Sequence, residues 1–262
     1  MSKTTRLHYS RQGQGPALVI LHGLFGSGTN WNSQAKRLTD HFDVILPDAR
    51  NHGRSPHAPD MSYAVMADDL RQLMDDLALD NAVVLGHSMG GKTAMTLALR
   101  APERVRALVV ADIAPVDYHE QSNSPLIEAL QRVDLSGITS RAEADSALAA
   151  DIPQPMVRQF LLTNLQYEDQ HYRWRIPLDT LAERLPELES FPAMEATYSG
   201  PALFLYGTES SYVRPDMQTT IRRYFPSAEL RSIPQAGHWL HAEQPQLFAD
   251  ELQRFLAQLD DE

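Results

Sequence analysis

The chain has 262 residues, 43% hydrophobic and 22% charged, enough to bury one full core and too few for a repeat array or several modules. Lys and Arg number 23 against 34 Asp and Glu, a formal charge of −11. That balance repels phosphate backbones and anionic lipid, and no local basic patch offsets it. There is no cysteine, so disulfides, thiolate metal sites and a cysteine nucleophile are excluded.

From Met1 to Gly15 there are basic residues but no apolar stretch, and no later run approaches a membrane span. A cytoplasmic protein with neither nucleic-acid nor membrane partners is therefore expected, as a monomer or homodimer. Leu18–Leu21 follows Gly15-Pro16 as a continuous apolar run and suits a buried parallel strand. A helical pattern runs from Trp31 to Leu38, and Phe42–Leu46 is strand-like and stops at Pro47-Asp48. Asp48 to Asp60 carries the Pro, Gly and polar residues of a loop, with Asn51-His52-Gly53-Arg54-Ser55 as structural residues. Ser62 can cap a helix reaching Leu77. Ala82–Leu85 is the next strand, Lys92–Arg100 the next helix, and Val105–Val110 a strand that ends at Asp112.

The rhythm then breaks. From 113 to 200 the sequence is mostly polar-helical, with scattered Pro and no strong strand. Strand patterns resume at Ala202–Tyr206 and Glu229–Ile233, separated by a helix over Pro215–Phe225. A last helix begins near Pro245. Alternating strands and helices imply a parallel sheet covered on both faces. Residues 1–112 and 201–262 are expected to form this α/β core, and 113–200 a helical cap inserted into it.

Gly86-His87-Ser88-Met89-Gly90 is a G-x-S-x-G pattern placed between a strand and a helix. A sharp turn there needs small residues around Ser88 and lifts its hydroxyl out of the sheet edge, at the N–H-rich start of a helix. A serine hydroxyl needs a base, and chain order in such elbows runs Ser, acid, His. His238, in Ala236-Gly237-His238-Trp239, is that base; His241 is expected to pack or cap the last helix. The usual acid position lies three residues after Gly207, and Ser210 stands there. Two carboxylates remain: Asp112, amid apolar neighbours where burial demands hydrogen-bond donors, and Glu209. Asp112 is preferred. Oxyanion donors are expected from the backbone N–H groups of Met89 and Leu24, with Phe25 next in line. Phe25, Tyr212 and Trp239 flank these loops and are candidates to wall a substrate pocket. Lys92, Arg173 and Arg175 could face an anionic group, and a solvated or salt-bridged role is the simpler one.

Together these residues resemble the α/β-hydrolase superfamily and, more narrowly, the bacterial YbfF-like esterases, which are similar to eukaryotic abhydrolase-domain proteins with the same acid placement. The resemblance rests on His22 to Ser27, Asp48 to Pro56, Gly86 to Lys92, the stretch Asp112 to His119 (Asp-Ile-Ala-Pro-Val-Asp-Tyr-His), and Ala236 to Glu243. It implies a mostly parallel eight-stranded sheet flanked by helices, with a helical cap inserted after the sixth strand. It also implies a Ser-His-Asp esterase acting on short-chain acyl esters, with neither metal nor organic cofactor. The small-molecule substrate is an acyl ester or thioester. Acyl-CoA thioesterase, C–C hydrolase and perhydrolase chemistries remain alternatives, and a non-catalytic ligand receptor is the reading from a different class.

Overall fold

A computed structural model of the chain describes residues 4–259. In chain order, β1 (Tyr9–Gln12) and β2 (Ala17–Leu21) precede a short α1 (Asn32–Ala35) and β3 (Asp43–Pro47). Then come α2 (Tyr63–Asp76), β4 (Ala82–His87), α3 (Met89–Arg100) and β5 (Val105–Ala111). The inserted segment holds α4 (Ser124–Arg132), α5 (Arg141–Leu148), α6 (Pro155–Leu162), a hairpin of β6 (Leu165–Glu168) and β7 (His171–Trp174), and α7 (Leu178–Glu189). The chain returns with β8 (Ala202–Gly207), α8 (Gln218–Tyr224), β9 (Ala228–Ile233), α9 (Leu240–Glu243) and α10 (Pro245–Gln258).

The main sheet has seven strands among the described residues, in the order β1-β3-β2-β4-β5-β8-β9, and only β1 runs antiparallel. The resemblance implied eight. Residues that could extend an eighth strand give their N–H groups to side chains instead: Thr5 to Asp69 and His8 to the Ser55 hydroxyl. A ladder cannot form where its donors are already committed. The insertion accordingly leaves after the fifth strand of the sheet, not the sixth.

The parallel strands are hydrophobic throughout because both faces are covered. Leu18, Ile20, Val83, Leu85 and Val109 face one core with Trp31, Phe248 and Phe255. Their neighbours Val19, Val84, Leu108 and Val110 face the other, with Leu70, Met95 and Ile221. The alternation is the two-residue period of a strand read on two buried sides. A third core lies within the insertion, where Ile127, Leu130, Leu148, Leu161 and Leu181 pack with Phe25 and Met89.

The sequence reading missed the β6–β7 hairpin. Its strands are four residues each and half exposed, so the apolar–polar alternation in Leu-Gln-Tyr-Glu and His-Tyr-Arg-Trp is too short to mark them. Its turn, Asp169-Gln170, takes positive φ at both residues (51° and 66°) without the Gly that usually signals such a turn.

Registry fixes the site. Leu21 pairs with Gly86, His87 with Ala111, Ala111 with Leu205, and Gly207 with Ile233. The parallel strands therefore end together, and the loops carrying His22, Ser88, Asp112, Thr208 and His238 leave from one edge, where open α/β sheets bind ligands.

Candidate active site

Ser88 sits between the last residue of β4 and the first of α3, at φ 53° and ψ −118°. Such a backbone costs a non-glycine residue on the order of 1–3 kcal/mol and persists only when its surroundings enforce it. The Ser88 N–H donates to Ala111 O at 3.1 Å, and Ser88 O accepts from Lys92 N–H at 3.0 Å, which starts the helix. The flanking glycines are dictated by contact. A Cβ on Gly86 would lie 2.2 Å from Gly90 O, and one on Gly90 would lie 2.5 Å from Leu21 O.

Asp112, at φ 52°, is fully buried. Burying a carboxylate is costly unless donors surround it, and three do. Gly207 N–H reaches Oδ1 at 3.1 Å, while the Ser210 hydroxyl and His238 Nδ1 (2.8 Å) both reach Oδ2. Ser210 thus occupies the usual acid position and donates to the Asp112 carboxylate. Glu209 is exposed, and its N–H is committed to Ala236 O at 2.9 Å. The structure brings Asp112 to His238, not Glu209. Because the carboxylate only accepts, the proton of this bond sits on His238 Nδ1 and Nε2 keeps its lone pair.

The loop around His238 is braced by residues that sequence reasoning passed over. Glu243 accepts Gly237 N–H at 2.7 Å and Trp239 N–H at 3.1 Å, one on each side of His238. His87 Nε2 lies 2.8 Å from His238 O, and the Tyr212 ring stacks on the imidazole at 3.9 Å. Tyr118 fixes Tyr212 in turn, donating its hydroxyl to Tyr212 O at 2.5 Å while accepting Ala114 N–H at 2.9 Å. The signal for Glu243 was its place in the matched stretch ending there. His87 carried none beyond adjacency to Ser88.

The loop after β2 abuts Ser88: a Cβ on Gly23 would lie 3.3 Å from Ser88 Cβ. Phe25 is at φ 64°, and its N–H goes to His52 Nε2 at 3.1 Å. That removes Phe25 as the next-in-line oxyanion donor. Among the described residues, no protein acceptor takes the N–H of Leu24 or Met89. His52 can accept because its Nδ1 donates to Arg50 O at 2.9 Å. Burial, reinforced by neighbouring His22, pushes its pKa down to about 3, so the ring stays neutral. His22 does the same one step away, with Nδ1 on Gly23 O at 2.8 Å and Nε2 accepting Ala49 N–H at 2.9 Å. In the 51–55 stretch Asn51, His52 and Ser55 are buried and hydrogen-bonded, and His52 holds the Phe25 N–H.

Ser88 and His238 line one cavity of about 410 Å³. Phe25, Tyr212 and Trp239, the proposed pocket aromatics, line it too, and Leu126, Val157 and Phe160 close it from the insertion. Asn164 ties the two sides, its side-chain amide donating to Phe25 O at 2.8 Å.

Residues 16–245 match the model of a known family, described as the alpha/beta hydrolase fold. The chain belongs to the α/β-hydrolase family. It is an α/β hydrolase of the esterase and lipase type. It is 46% identical over 249 residues to the sn-1-specific diacylglycerol lipase ABHD11 of Mus musculus, covering 92% of this chain and 81% of the relative. Against esterase YbfF of Escherichia coli (strain K12) the identity is 36% over 239 residues, with 91% and 92% covered. A solved marine microorganism esterase superposes with a TM-score of 0.94 at 41% identity, over 96% of this chain and all of that one (100%).

Other polar residues of this α/β hydrolase serve the scaffold. Lys92 is neither solvated nor paired with a carboxylate oxygen. Its Nζ is buried and donates to Glu189 O (2.9 Å) and Ser190 O (2.8 Å) at the end of α7, with the Tyr118 ring 4.8 Å away. Desolvation lowers its pKa to about 7. Arg173 pairs with Glu168 within the hairpin, and Arg175 Nε reaches Gln166 Oε1 at 3.3 Å. His241 stacks on Trp31 at 4.2 Å, and burial pushes its pKa down to about 3.

Proposed function

We propose that this α/β hydrolase is a serine carboxylesterase that hydrolyses short-chain acyl esters through Ser88, His238 and Asp112. The observation that carries the reading is the 2.8 Å bond from His238 Nδ1 to the buried Asp112, in the cavity that Ser88 also lines. With Nδ1 held as the donor, Nε2 takes the Ser88 hydroxyl proton as Oγ adds to the ester carbonyl. The new oxyanion is met by the N–H groups of Leu24 and Met89. The adduct collapses as His238 hands its proton to the departing alcohol oxygen, leaving an acyl-serine. Water then adds with the same base, and the acid is released. Phe25, Tyr212 and Trp239 wall the substrate, and residues 113–200 act as the lid over the core formed by 1–112 and 201–262.

The test is hydrolysis of 4-nitrophenyl acetate and butyrate by wild type and Ser88→Ala, beside fluorophosphonate labelling. Stoichiometric labelling at Ser88, and loss of turnover by roughly 10⁴-fold or more in the variant, is expected. A Ser88→Ala protein that hydrolyses esters at the wild-type rate would sink the scheme.

A further inference from the structure

Ser88 borders two cavities, not one. Beside the space of about 410 Å³ lies a second of about 30 Å³, and Leu24, Ser88, Asn123 and Tyr212 are common to both. The smaller is walled by Met89 and Ile113 from the core and by Leu185 and Leu188 from α7, with Tyr63 beside them. The larger carries His238, His241 and Trp239 on the core side and Val157 and Phe160 on the inserted side. His238 borders the larger of the two and not the smaller, and Met89 the smaller and not the larger.

Resting on the serine-esterase reading, the geometry points to a division of the substrate between the two: the acyl chain enters the small cavity and the alcohol occupies the large one. The chemistry fixes the direction. When the tetrahedral adduct collapses, the bond from the carbonyl carbon to the alcohol oxygen breaks, and that oxygen takes the proton carried by His238. The alcohol must therefore lie on the side His238 faces. The acyl chain, on the other substituent of the same carbon, points away, past Met89 and toward Leu185. Water replacing the alcohol enters through the large cavity and meets the same imidazole.

Size then sets specificity. A water-sized group needs about 10–15 Å³ of such space, so the small cavity takes roughly two or three non-hydrogen atoms. Acetyl, propionyl and butyryl chains fit, and longer chains collide with Leu185 and Leu188. The large cavity is of the size that holds a small organic molecule. The substrate class is a short-acyl ester of a bulky alcohol, with Leu185 and Leu188 setting acyl length and Phe160 setting alcohol size.

The test is a two-way substrate series. One arm varies the acyl chain of 4-nitrophenyl esters from acetate to octanoate. The other varies the alcohol of acetates from phenyl to 2-naphthyl to 4-phenylphenyl. For wild type, kcat/KM is expected to fall by about tenfold or more between butyrate and hexanoate, and to stay within about tenfold across the aryl acetates. Leu185→Ala is expected to raise the hexanoate-to-acetate ratio by about tenfold or more, and Phe160→Ala to shift only the aryl series. Leu185 is buried, so Leu188→Ala is a second opening variant, and the wild-type series decides if neither folds. A hexanoate-to-acetate ratio that responds to Phe160→Ala and not to the α7 variants overturns the assignment, as does octanoate turned over as fast as acetate. Those results leave Ser88 labelling intact. Absence of labelling and of all ester turnover would instead remove the esterase reading beneath it.

Discussion

On the core side of the cavity, Phe25, Ser88 and Asp112 each hold a positive φ, between 52° and 64°, just past the ends of β2, β4 and β5. Each is fixed by groups that are buried or partly so: His52 for Phe25, the Gly86 and Gly90 contacts for Ser88, Gly207 and the half-buried Ser210 for Asp112. On the inserted side, α6 is eight residues long and brings Val157, Phe160 and Leu161 to the cavity. Polar ties to the core run through Asn164, Lys92 and Tyr63. Strain is stored where reacting atoms must be placed to within fractions of an ångström, and is absent from helices that only have to fill space. In the proposed scheme, chemistry belongs to the side of the strained loops, taken as the rigid one, and selectivity to the inserted side, taken as the adaptable one.

The sharpest way to break this division is at the acid. Asp112→Asn keeps the shape of the residue but presents an amide to His238 in the wrong sense. It is expected to lower kcat/KM for ester hydrolysis by roughly 10⁴-fold, with the far-UV spectrum unchanged. Glu209→Gln, on an exposed carboxylate outside the network, is expected to stay within about twofold. A damaging Glu209→Gln beside a tolerated Asp112→Asn would move the acid to the other loop.

Acidification probes the same contrast. The core side holds His22, His52, His87 and His241 buried, whereas the insertion's His119 and His171 are exposed. Burial lowers the pKa of all four core rings, to about 3 for His52 and His241. For His52 and His241, between the ordinary value of about 6.5 and about 3, the unfolded chain binds protons that the folded chain refuses. Their contribution is therefore complete above pH 6.5 and is lost as pH falls toward 3, by on the order of several kcal/mol in all. Urea unfolding at pH 7.5, 6 and 4.5 measures the slope. His52→Gln, which cannot titrate, is expected to flatten it; a slope as steep as wild type would show that His52 is not among the groups responsible.

What the sequence made legible follows the same line. Elements carried by an apolar run or by a demanding turn were readable: β2, β3, β4, β5, β8 and β9, the Ser88 elbow, and the pairing of Asp112 with His238. Asp112 could be preferred over Glu209 because a carboxylate among Ile and Ala residues must find donors, whereas one in a polar loop need not. Ser210, Glu243 and His87 escaped because their roles arise from loops that meet only in three dimensions: 98 residues separate Ser210 from Asp112, and 151 separate His87 from His238. β1 and the β6–β7 hairpin escaped for the opposite reason. Strands of four residues, half or more of them exposed, leave too short a pattern to read.

The smallest expected effect sharpens the comparison where the two sides touch. Asn164 is buried, and its amide donates both to Phe25 O at 2.8 Å and to Leu161 O at 3.2 Å. Asn164→Ala leaves the Phe25 carbonyl without that donor, a loss of about 1–3 kcal/mol and a fall in melting temperature of roughly 2–10 °C. The cost should not be shared evenly. Phe25 keeps its N–H on His52, while the turn after α6 loses the polar contact that seats it. Hydrogen exchange is therefore expected to quicken in α6 and the β6–β7 hairpin, with β4 and α3 little changed. Equal acceleration in α6 and β4 would mean that the insertion and the sheet open as one unit, and that the division between a rigid and an adaptable side does not extend to their stabilities.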